Sequence, residues 1–157
     1  MSNFLSVYKM ISKFEILKHF EQYVRDAEDT VGATVTTNTT LDRYAKRLFG
    51  RQYLGTFTAD DYPPDDSVNN NQMFIVNNQT STEHGEHWVG CYKYNDRIYA
   101  YDSFHRRLRH VSRHFSQHWI KANSWHDQSY NEDNCGARSI AFLRCFHKYK
   151  ERVVHVI

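Results

Sequence analysis

Apolar residues near the start of the chain recur with the spacing of one helix face. The apolar positions are Val7, Met10, Ile11, Phe14, Leu17, Phe20 and Val24. Because steps of three and four keep side chains on one side of a helix, residues 4–27 predict an amphipathic helix, broken at most once, that packs on the core. The polar and β-branched run from Thr34 to Thr40 favours a loop or short edge segment. Thr40 can then cap a second helix, Leu41 to Phe49, which Gly50 ends.

The middle of the chain alternates apolar runs with turn residues. Pro63-Pro64 lies in the acidic stretch 60–66 and predicts a loop, because proline is excluded from helix interiors and central strands. The apolar run from Met73 to Val76 is bounded by turn residues, so it predicts a buried strand.

Two further strands are predicted at His87–Tyr94 and Arg97–Asp102, joined at Asn95-Asp96. Asn and Asp tolerate the positive φ of a two-residue hairpin turn, and such a turn sets the register. In that register His87 and Asp102 are diagonal neighbours on one face, roughly 7–8 Å apart at the backbone. An imidazole and a carboxylate reaching toward each other can close this gap.

The last third of the chain predicts two more helices. Leu108 to Ala122 places Leu108, Val111, Phe115 and Trp119 on a core side, and Ala137–Tyr149 is again apolar-periodic and ends near Lys150. Residues 123–134 read as a loop, and Arg152 to Ile157 as a final short strand. The predicted fold class is α+β: a small, mostly antiparallel sheet flanked by helices, with a cysteine at the N-terminus of a core helix.

Composition limits the kind of protein. With 157 residues, 40% of them hydrophobic and 15% aromatic, the chain is expected to form one globular domain, residues 1–157. No apolar stretch approaches the roughly 20 residues that span a bilayer, and no signal peptide is visible. The three cysteines, Cys91, Cys135 and Cys145, are an odd number without CxxC spacing. This argues against a disulfide framework and for a reducing compartment.

The stretch from Gln128 to Gly136 places one cysteine at the mouth of a helix. Asn134 is a good N-cap residue, and Cys135 falls at about the first helical position. Free N–H groups and the helix dipole stabilise a thiolate there, and Gln128 can hydrogen-bond an oxyanion beside it. On this stretch alone, a buried cysteine next to a helix cap is an equally good interpretation.

Four side chains in chain order match the roles that acyl transfer needs. His87 is the candidate base, Asp102 its orienting acid, Gln128 the oxyanion donor and Cys135 the nucleophile, and none of these roles requires a cofactor. Other residues could fill two of the roles. The rival bases are His84 and His126, and the rival acids are Glu132 and Asp133.

Basic residues cluster just after the candidate acid, with no acidic residue between Ser103 and His126. The cluster comprises Arg106, Arg107, Arg109 and Arg113. Two interpretations of the cluster are about equally good: a surface that binds DNA phosphates, and a solvated face without a ligand. His110, His114 and His118 recur at i, i+4 and i+8, but no adjacent carboxylate or cysteine completes a zinc site, so no metal is predicted.

The motifs resemble a known family of viral proteases. They are Tyr53–Phe57 before an acidic proline-containing turn, His87-Trp88, Tyr99–Phe104, and Gln128 with six residues before Cys135-Gly136. In this order they resemble the adenovirus endopeptidase, adenain, and related proteases of virophages and Polinton-type elements. These proteases share a core with the deconjugating proteases of SUMO-like modifiers. The resemblance covers about residues 41–148 and leaves 1–40 outside it as an N-terminal helical extension.

The resemblance implies the same four roles for His87, Asp102, Gln128 and Cys135, although adenain itself has Glu at the acid position. It further implies a monomeric maturation protease of the virion and host-cell interior that cleaves virion precursor proteins at glycine-containing sites. Trp88 and Phe104 could wall the substrate groove, and DNA or a capsid-derived peptide could activate the enzyme. Two alternatives remain open: a deconjugating isopeptidase acting on a ubiquitin-like modifier, and a DNA-binding protein with a relict protease core.

Overall fold

A computed structural model describes residues 2–33, 37–82, 87–125, 128 and 133–157, with side chains from residue 13 onward. The helices are α1 (Ser2–Val31), α2 (Asn38–Phe49), α3 (Leu108–Val111) and α4 (Cys135–Tyr149). The strands are β1 (Tyr53–Phe57), β2 (Met73–Asn77), β3 (Trp88–Tyr94), β4 (Arg97–Tyr101) and β5 (Ile120–Lys121). Short 3₁₀ turns lie at Gly50–Gln52, Asp65–Ser67 and Lys150–Val153. The fold class is α+β, and no helix in these ranges is long and apolar enough to cross a membrane.

The five strands form one mixed sheet in the order β1-β2-β3-β4-β5. The inner pairs β2–β3 and β3–β4 are antiparallel, while both edge pairs, β1–β2 and β4–β5, are parallel. The sheet is therefore mixed: its centre is antiparallel as predicted, whereas the parallel pairs at both edges were not predicted. The long connections 58–72 and 102–119 give the chain the length that a parallel crossover needs, whereas the two-residue turn after β3 forces an antiparallel pair. The sequence pattern had not assigned any element to Tyr53–Phe57, which form β1.

The central hairpin has the predicted register, with Tyr94 opposite Arg97 and Gly90 opposite Tyr101. Asn95 and Asp96 have φ angles of 53° and 64°, the left-handed values that this turn requires. The prediction is confirmed, because a tight turn of known length leaves the strands one register. Continuing that register brings the chain at His87 alongside Asp102.

The two N-terminal helices were predicted correctly, but their details differ. α1 is continuous, and of the predicted stripe Phe20 and Val24 are buried, whereas Phe14 is 70% and Leu17 39% exposed. The side chains of Val7, Met10 and Ile11 lie outside the described ones. The N-cap of α2 is Thr37, not Thr40: its hydroxyl accepts a hydrogen bond from the Thr40 N–H at 3.2 Å. The helix therefore starts one turn earlier than predicted.

The long helix predicted for residues 108–122 does not form. Only Leu108–Val111 is helical, and Ile120–Lys121 joins the sheet. The hydroxyls of Ser112 and Ser116 accept hydrogen bonds from the N–H groups of His114 and His118, two residues on. Such local bonds compete with the helix ladder. The histidine stripe at i, i+4 and i+8 therefore has no helix to carry it.

The predicted C-terminal strand is also wrong. Lys150–Val153 forms a 3₁₀ turn, and the positive φ angles of Lys150 (55°) and His155 (67°) are incompatible with a continuous extended strand. Val153 and Ile157 are nonetheless buried in the core. The segment thus closes the core without joining the sheet.

Apolar layers cover both faces of the sheet. On one face α1, α2 and α4 pack over residues such as Tyr92 and Tyr101, which are fully buried. On the other face the segment after β4 brings Phe115 and Trp119 against Phe74. The α4 layer places its first residue, Cys135, beside the sheet, near the start of β3.

Candidate active site

Cys135 is the first residue of α4 and is 7% exposed. Asn134 occupies the N-cap position as predicted, but its side chain makes no capping hydrogen bond. Its amide instead donates to Glu28 Oε1 of α1 at 2.6 Å, and its Oδ1 accepts from Arg138 Nε at 3.1 Å. Without a capping side chain, the first N–H groups of α4 are left to face the cysteine sulfur.

His87 lies one residue before β3, and its ring is nearly buried, with 4% of the residue exposed. Nε2 lies 2.5 Å from Asp102 Oδ1. The backbone N–H of His87 donates to Asn78 Oδ1 at 3.1 Å, and the ring packs on Phe104 with centroids 5.2 Å apart. With Nε2 bound to Asp102, the other ring nitrogen, Nδ1, is left to pair with the Cys135 thiol.

Asp102 is fully buried and receives several hydrogen bonds. Besides His87, the N–H groups of Phe104 and Arg106 donate to it at 3.2 and 2.8 Å, and the Arg106 guanidinium donates from Nε at 3.1 Å and from Nη2 at 3.3 Å. Burial opposes ionisation of Asp102, but the bonds from His87 and Arg106 lower its pKa well below the usual value. The acid is therefore held as a carboxylate.

Cys135 and His87 shift each other's proton affinity in opposite directions. Burial raises the pKa of Cys135, but the hydrogen bond and charge of His87, with backbone hydrogen bonds at Trp88 and Gly136, lower it overall. Burial lowers the pKa of His87, but its hydrogen bonds to Asp102 and Cys135 raise it overall. Both shifts favour a thiolate–imidazolium pair.

Gln128 is 2% exposed and is tied to the turn that carries the acid. Its backbone N–H donates to the Ser103 carbonyl at 3.1 Å, and its Oε1 accepts from the Ser103 hydroxyl at 2.6 Å. Since the hydroxyl holds the side-chain oxygen, the amide nitrogen is the end that can donate to an oxyanion. Sequence reasoning missed Ser103, although its position directly after Asp102 is a signal that could have found it.

Of the four rival residues, the structure describes only Asp133. His84, His126 and Glu132 lie outside the described residues, and Asp133 is exposed. Cys91 and Cys145 are both fully buried; burial raises the pKa of Cys91 well above its usual value and that of Cys145 to about 12. These two thiols are therefore poor nucleophiles at neutral pH.

The predicted groove residues differ in position. Trp88 is 9% exposed and belongs to the core layer under α4, where its carbonyl accepts from Ser139 Oγ at 3.2 Å. Phe104 is half-buried. Its ring packs against the His87 ring, and the Arg106 guanidinium lies 5.1 Å from its centroid. Phe104 can therefore shield the imidazole from water, whereas Trp88 mainly packs in the core.

The predicted DNA-contact residues separate into two groups. Arg106 is occupied by Asp102, a role that sequence reasoning missed. Arg107, Arg109 and Arg113 line a concavity of about 680 Å³ together with Lys121. Lys121 was not predicted because it enters the cluster only by joining β5.

The site thus combines a thiol, an imidazole and a carboxylate, and the buried Gln128 is bound to Ser103, the residue after the carboxylate. This set can attack a carbonyl carbon, transfer a proton to a leaving amine and stabilise an oxyanion. Within the described ranges, no three His, Cys, Asp or Glu side chains form a group that could hold a metal ion. No protein-family model, curated protein or solved structure matches the chain.

Proposed function

We propose that this chain is a cysteine endopeptidase. The observation that carries the proposal is the buried pair of His87 and Asp102, with Nε2 and Oδ1 2.5 Å apart, next to a cysteine at the first position of α4. A histidine held by a carboxylate and coupled to a helix-terminal thiol is the arrangement that nucleophilic acyl transfer requires.

In the proposed reaction, the Cys135 thiolate attacks the carbonyl carbon of the scissile bond. The amide of Gln128 and the N–H of Cys135 stabilise the oxyanion, and the His87 imidazolium gives its proton to the leaving amine. His87 then takes a proton from water, whose oxygen attacks the thioester and releases Cys135. No step needs a redox or metal cofactor.

Asp102 orients the imidazole and stays ionised throughout. Arg106 supports this role, because its guanidinium and backbone N–H both bind the carboxylate. A carboxylate so stabilised is a poor proton acceptor, so the proton shuttles between Cys135, His87 and the substrate rather than to Asp102.

The substrates that we propose are virion precursor proteins cut at glycine-containing junctions, as the resemblance to adenain-like proteases implies. Phe104 beside the imidazole gives one apolar wall near the reacting atoms. A side chain that limits the space beside the imidazole favours substrates without bulky side chains next to the scissile bond. DNA is a rival ligand for Arg107, Arg109 and Arg113 and is not part of this proposal.

The test is to co-express the chain with a candidate capsid precursor and to identify new termini by mass spectrometry. Cys135→Ala should abolish the new termini, whereas Cys91→Ala, checked for folding by thermal melting, should retain them. New termini that persist in Cys135→Ala would contradict the proposal. Conjugates of a ubiquitin-like modifier form a parallel arm, and their cleavage in place of the precursors would favour the isopeptidase. Inactivity in every arm, with no labelling of Cys135, would favour the relict core.

A further inference from the structure

A concavity of about 680 Å³ lies beside the sheet, four side chains of Arg and Lys line it, and Cys135 is not among its lining residues. We call it the cationic pocket; its charged residues are Arg107, Arg109, Arg113 and Lys121. Trp119 and Phe115, each 6% exposed, form part of its apolar lining. Its volume is in the range that encloses a whole small molecule, roughly 300–1000 Å³.

The positive charge in the cationic pocket is not balanced within the described part of the chain. No carboxylate there forms an ion pair with Arg107, Arg109 or Arg113. Two carboxylates near the pocket have other partners. Asp102 binds His87 and Arg106, and Asp65 accepts from Ser116 Oγ and Trp119 Nε1, each at 2.8 Å.

The excess positive charge also affects Lys121. Its Nζ donates to the His105 carbonyl at 3.1 Å rather than to a carboxylate. Burial and the charge of Arg107 lower the pKa of Lys121, although the charge of Asp102 acts in the opposite direction. An anion placed between Lys121 and Arg107 would relieve their repulsion.

We propose that the cationic pocket binds a compact polyanion with at least three negative charges, such as a small molecule carrying several phosphoryl groups. Guanidinium groups bind phosphoryl oxygens through paired hydrogen bonds, and three arginines line one concavity here. Cations that converge on a hollow suit a ligand small enough to enter it. A DNA duplex presents its phosphates along a convex rod, so it could contact the exposed arginines but would not fill the concavity.

A ligand in the cationic pocket would also stabilise the neighbouring turn, because residues of the pocket are connected to it. Arg107 follows Arg106, which binds Asp102, and Lys121 donates to His105 on the same turn. A ligand that bridges Arg107 and Lys121 therefore stabilises the segment 103–121. Since a ligand that binds only the folded state raises the melting temperature, binding is measurable without any assay of activity.

The first experiment measures binding of inorganic tripolyphosphate to the full chain by isothermal titration calorimetry at fixed ionic strength, with orthophosphate as the comparison. We expect tripolyphosphate to bind at least about tenfold more tightly, because it can engage several cations at once, and to raise the melting temperature. Absence of tripolyphosphate binding, or equal affinity for orthophosphate, would overturn the proposal.

Two matched double variants locate the site. Arg109→Gln/Arg113→Gln should weaken tripolyphosphate binding at least about tenfold, since two charge-assisted contacts are lost. Arg43→Gln/Arg51→Gln removes the same charge from exposed positions at α2 and the turn after it, and should change the affinity less than about twofold. Equal losses in both variants would show binding to overall charge and refute a built pocket.

A competition experiment separates a compact ligand from nucleic acid. A fluorescent duplex of about 20 base pairs is titrated with the chain at low salt, and tripolyphosphate is then added at constant ionic strength. Weak duplex binding that tripolyphosphate displaces supports the cationic pocket as a site for compact phosphates. A tight duplex complex that tripolyphosphate leaves intact would overturn the proposal in favour of a nucleic-acid surface.

Discussion

Asp102 is the residue on which the hydrogen bonds of the candidate site converge. One oxygen faces His87 and the other faces Arg106, while the Asp102 carbonyl accepts from Asn123 Nδ2 at 2.6 Å. Because donors surround both carboxylate oxygens, the acid cannot rotate without losing several bonds at once. This arrangement fixes the imidazole in one tautomer and one orientation.

The reactivity of Cys135 is the first prediction at this scale. Since its pKa is lowered and that of His87 is raised, iodoacetamide should label Cys135 well before the buried Cys91 and Cys145, and labelling should persist below the ordinary thiol pKa of about 8.5. Peptide mapping after brief exposure across pH 5–9 measures this. Earlier labelling of Cys91 or Cys145 would show that the site is misassigned.

Asp102→Asn extends the same measurement to the acid. Loss of the carboxylate removes a bond that raises the pKa of His87, so the imidazolium should lose its proton at a lower pH. Without that positive charge the pKa of Cys135 should rise, which leaves less thiolate near neutrality. Labelling at pH 6–7 should therefore slow. Asp96→Asn, in the exposed hairpin turn, is the control and should label like the wild type. If labelling of Cys135 depends on pH in the same way in both variants, Asp102 does not influence the charge of His87 and Cys135.

Ser103 is predicted to act through Gln128. Gln128→Ala should lower kcat by about 10–1000-fold, because one oxyanion donor is lost. Ser103→Ala removes the hydroxyl that holds Gln128 Oε1, and should lower kcat by a smaller factor with KM nearly unchanged. Since both act on one donor, the double variant should be no slower than Gln128→Ala alone. Additive losses, or no rescue by Ser103→Thr, would mean that Ser103 has only a structural role.

At the scale of elements, the site depends on how closely β3 approaches α4. Gly90 lies on β3, and a Cβ atom there would come 3.0 Å from the Ser139 carbonyl oxygen and 3.1 Å from Phe142 Cδ1, both on α4. β3 begins one residue after His87, and α4 begins at Cys135. The absence of a side chain at one strand position thus sets the spacing between α4, which begins with Cys135, and β3, which begins directly after His87.

Gly90→Ala should therefore affect both stability and turnover. The added methyl group must displace the backbone of α4, which costs about 1–3 kcal/mol of unfolding free energy and moves Cys135 relative to His87. Urea unfolding and kcat measure the two effects. Asn95→Gly, in the same hairpin at φ 53°, should change stability by less than about 0.5 kcal/mol, since glycine adopts that φ freely. A fully stable, fully active Gly90→Ala protein would contradict the close approach.

Over the whole molecule, the N-terminal helix belongs to the core rather than forming a detached extension. α1 packs along α4, with Phe20 buried against the Tyr101 ring and Glu28 bound to Asn134 beside Cys135. α1 thus supports the helix that begins with Cys135.

Two phenylalanines on α1 test this packing. Phe20→Ala should lower the unfolding free energy by about 3–5 kcal/mol, because its ring is 1% exposed and its loss leaves a cavity. Phe14→Ala, with a side chain that is 70% exposed, should change it by no more than about 0.5 kcal/mol. Chemical denaturation of both variants gives the comparison. Similar small losses for both would show that α1 is only loosely attached.

The sequence by itself determined the features that depend on neighbours along the chain. The left-handed pair Asn95-Asp96 decided the hairpin register, and helical spacing with a terminal glycine decided most of α2. These signals are readable because turns and caps are held by residues a few positions apart. The same register pairs His87 with Asp102, because it makes them diagonal neighbours at the open end of the hairpin.

Only the tertiary structure decided the rest, because it depends on contacts between distant segments. The parallel edges of the sheet follow from where two long connections return, and the predicted helix at 108–122 gave way to serine-capped turns and β5. That change brings Lys121 to the same concavity as Arg107. In the turn after β4, Arg106 pairs with Asp102 and Ser103 donates to Gln128. No spacing rule predicts such partners, since which polar groups meet is decided by the packing of the elements that carry them.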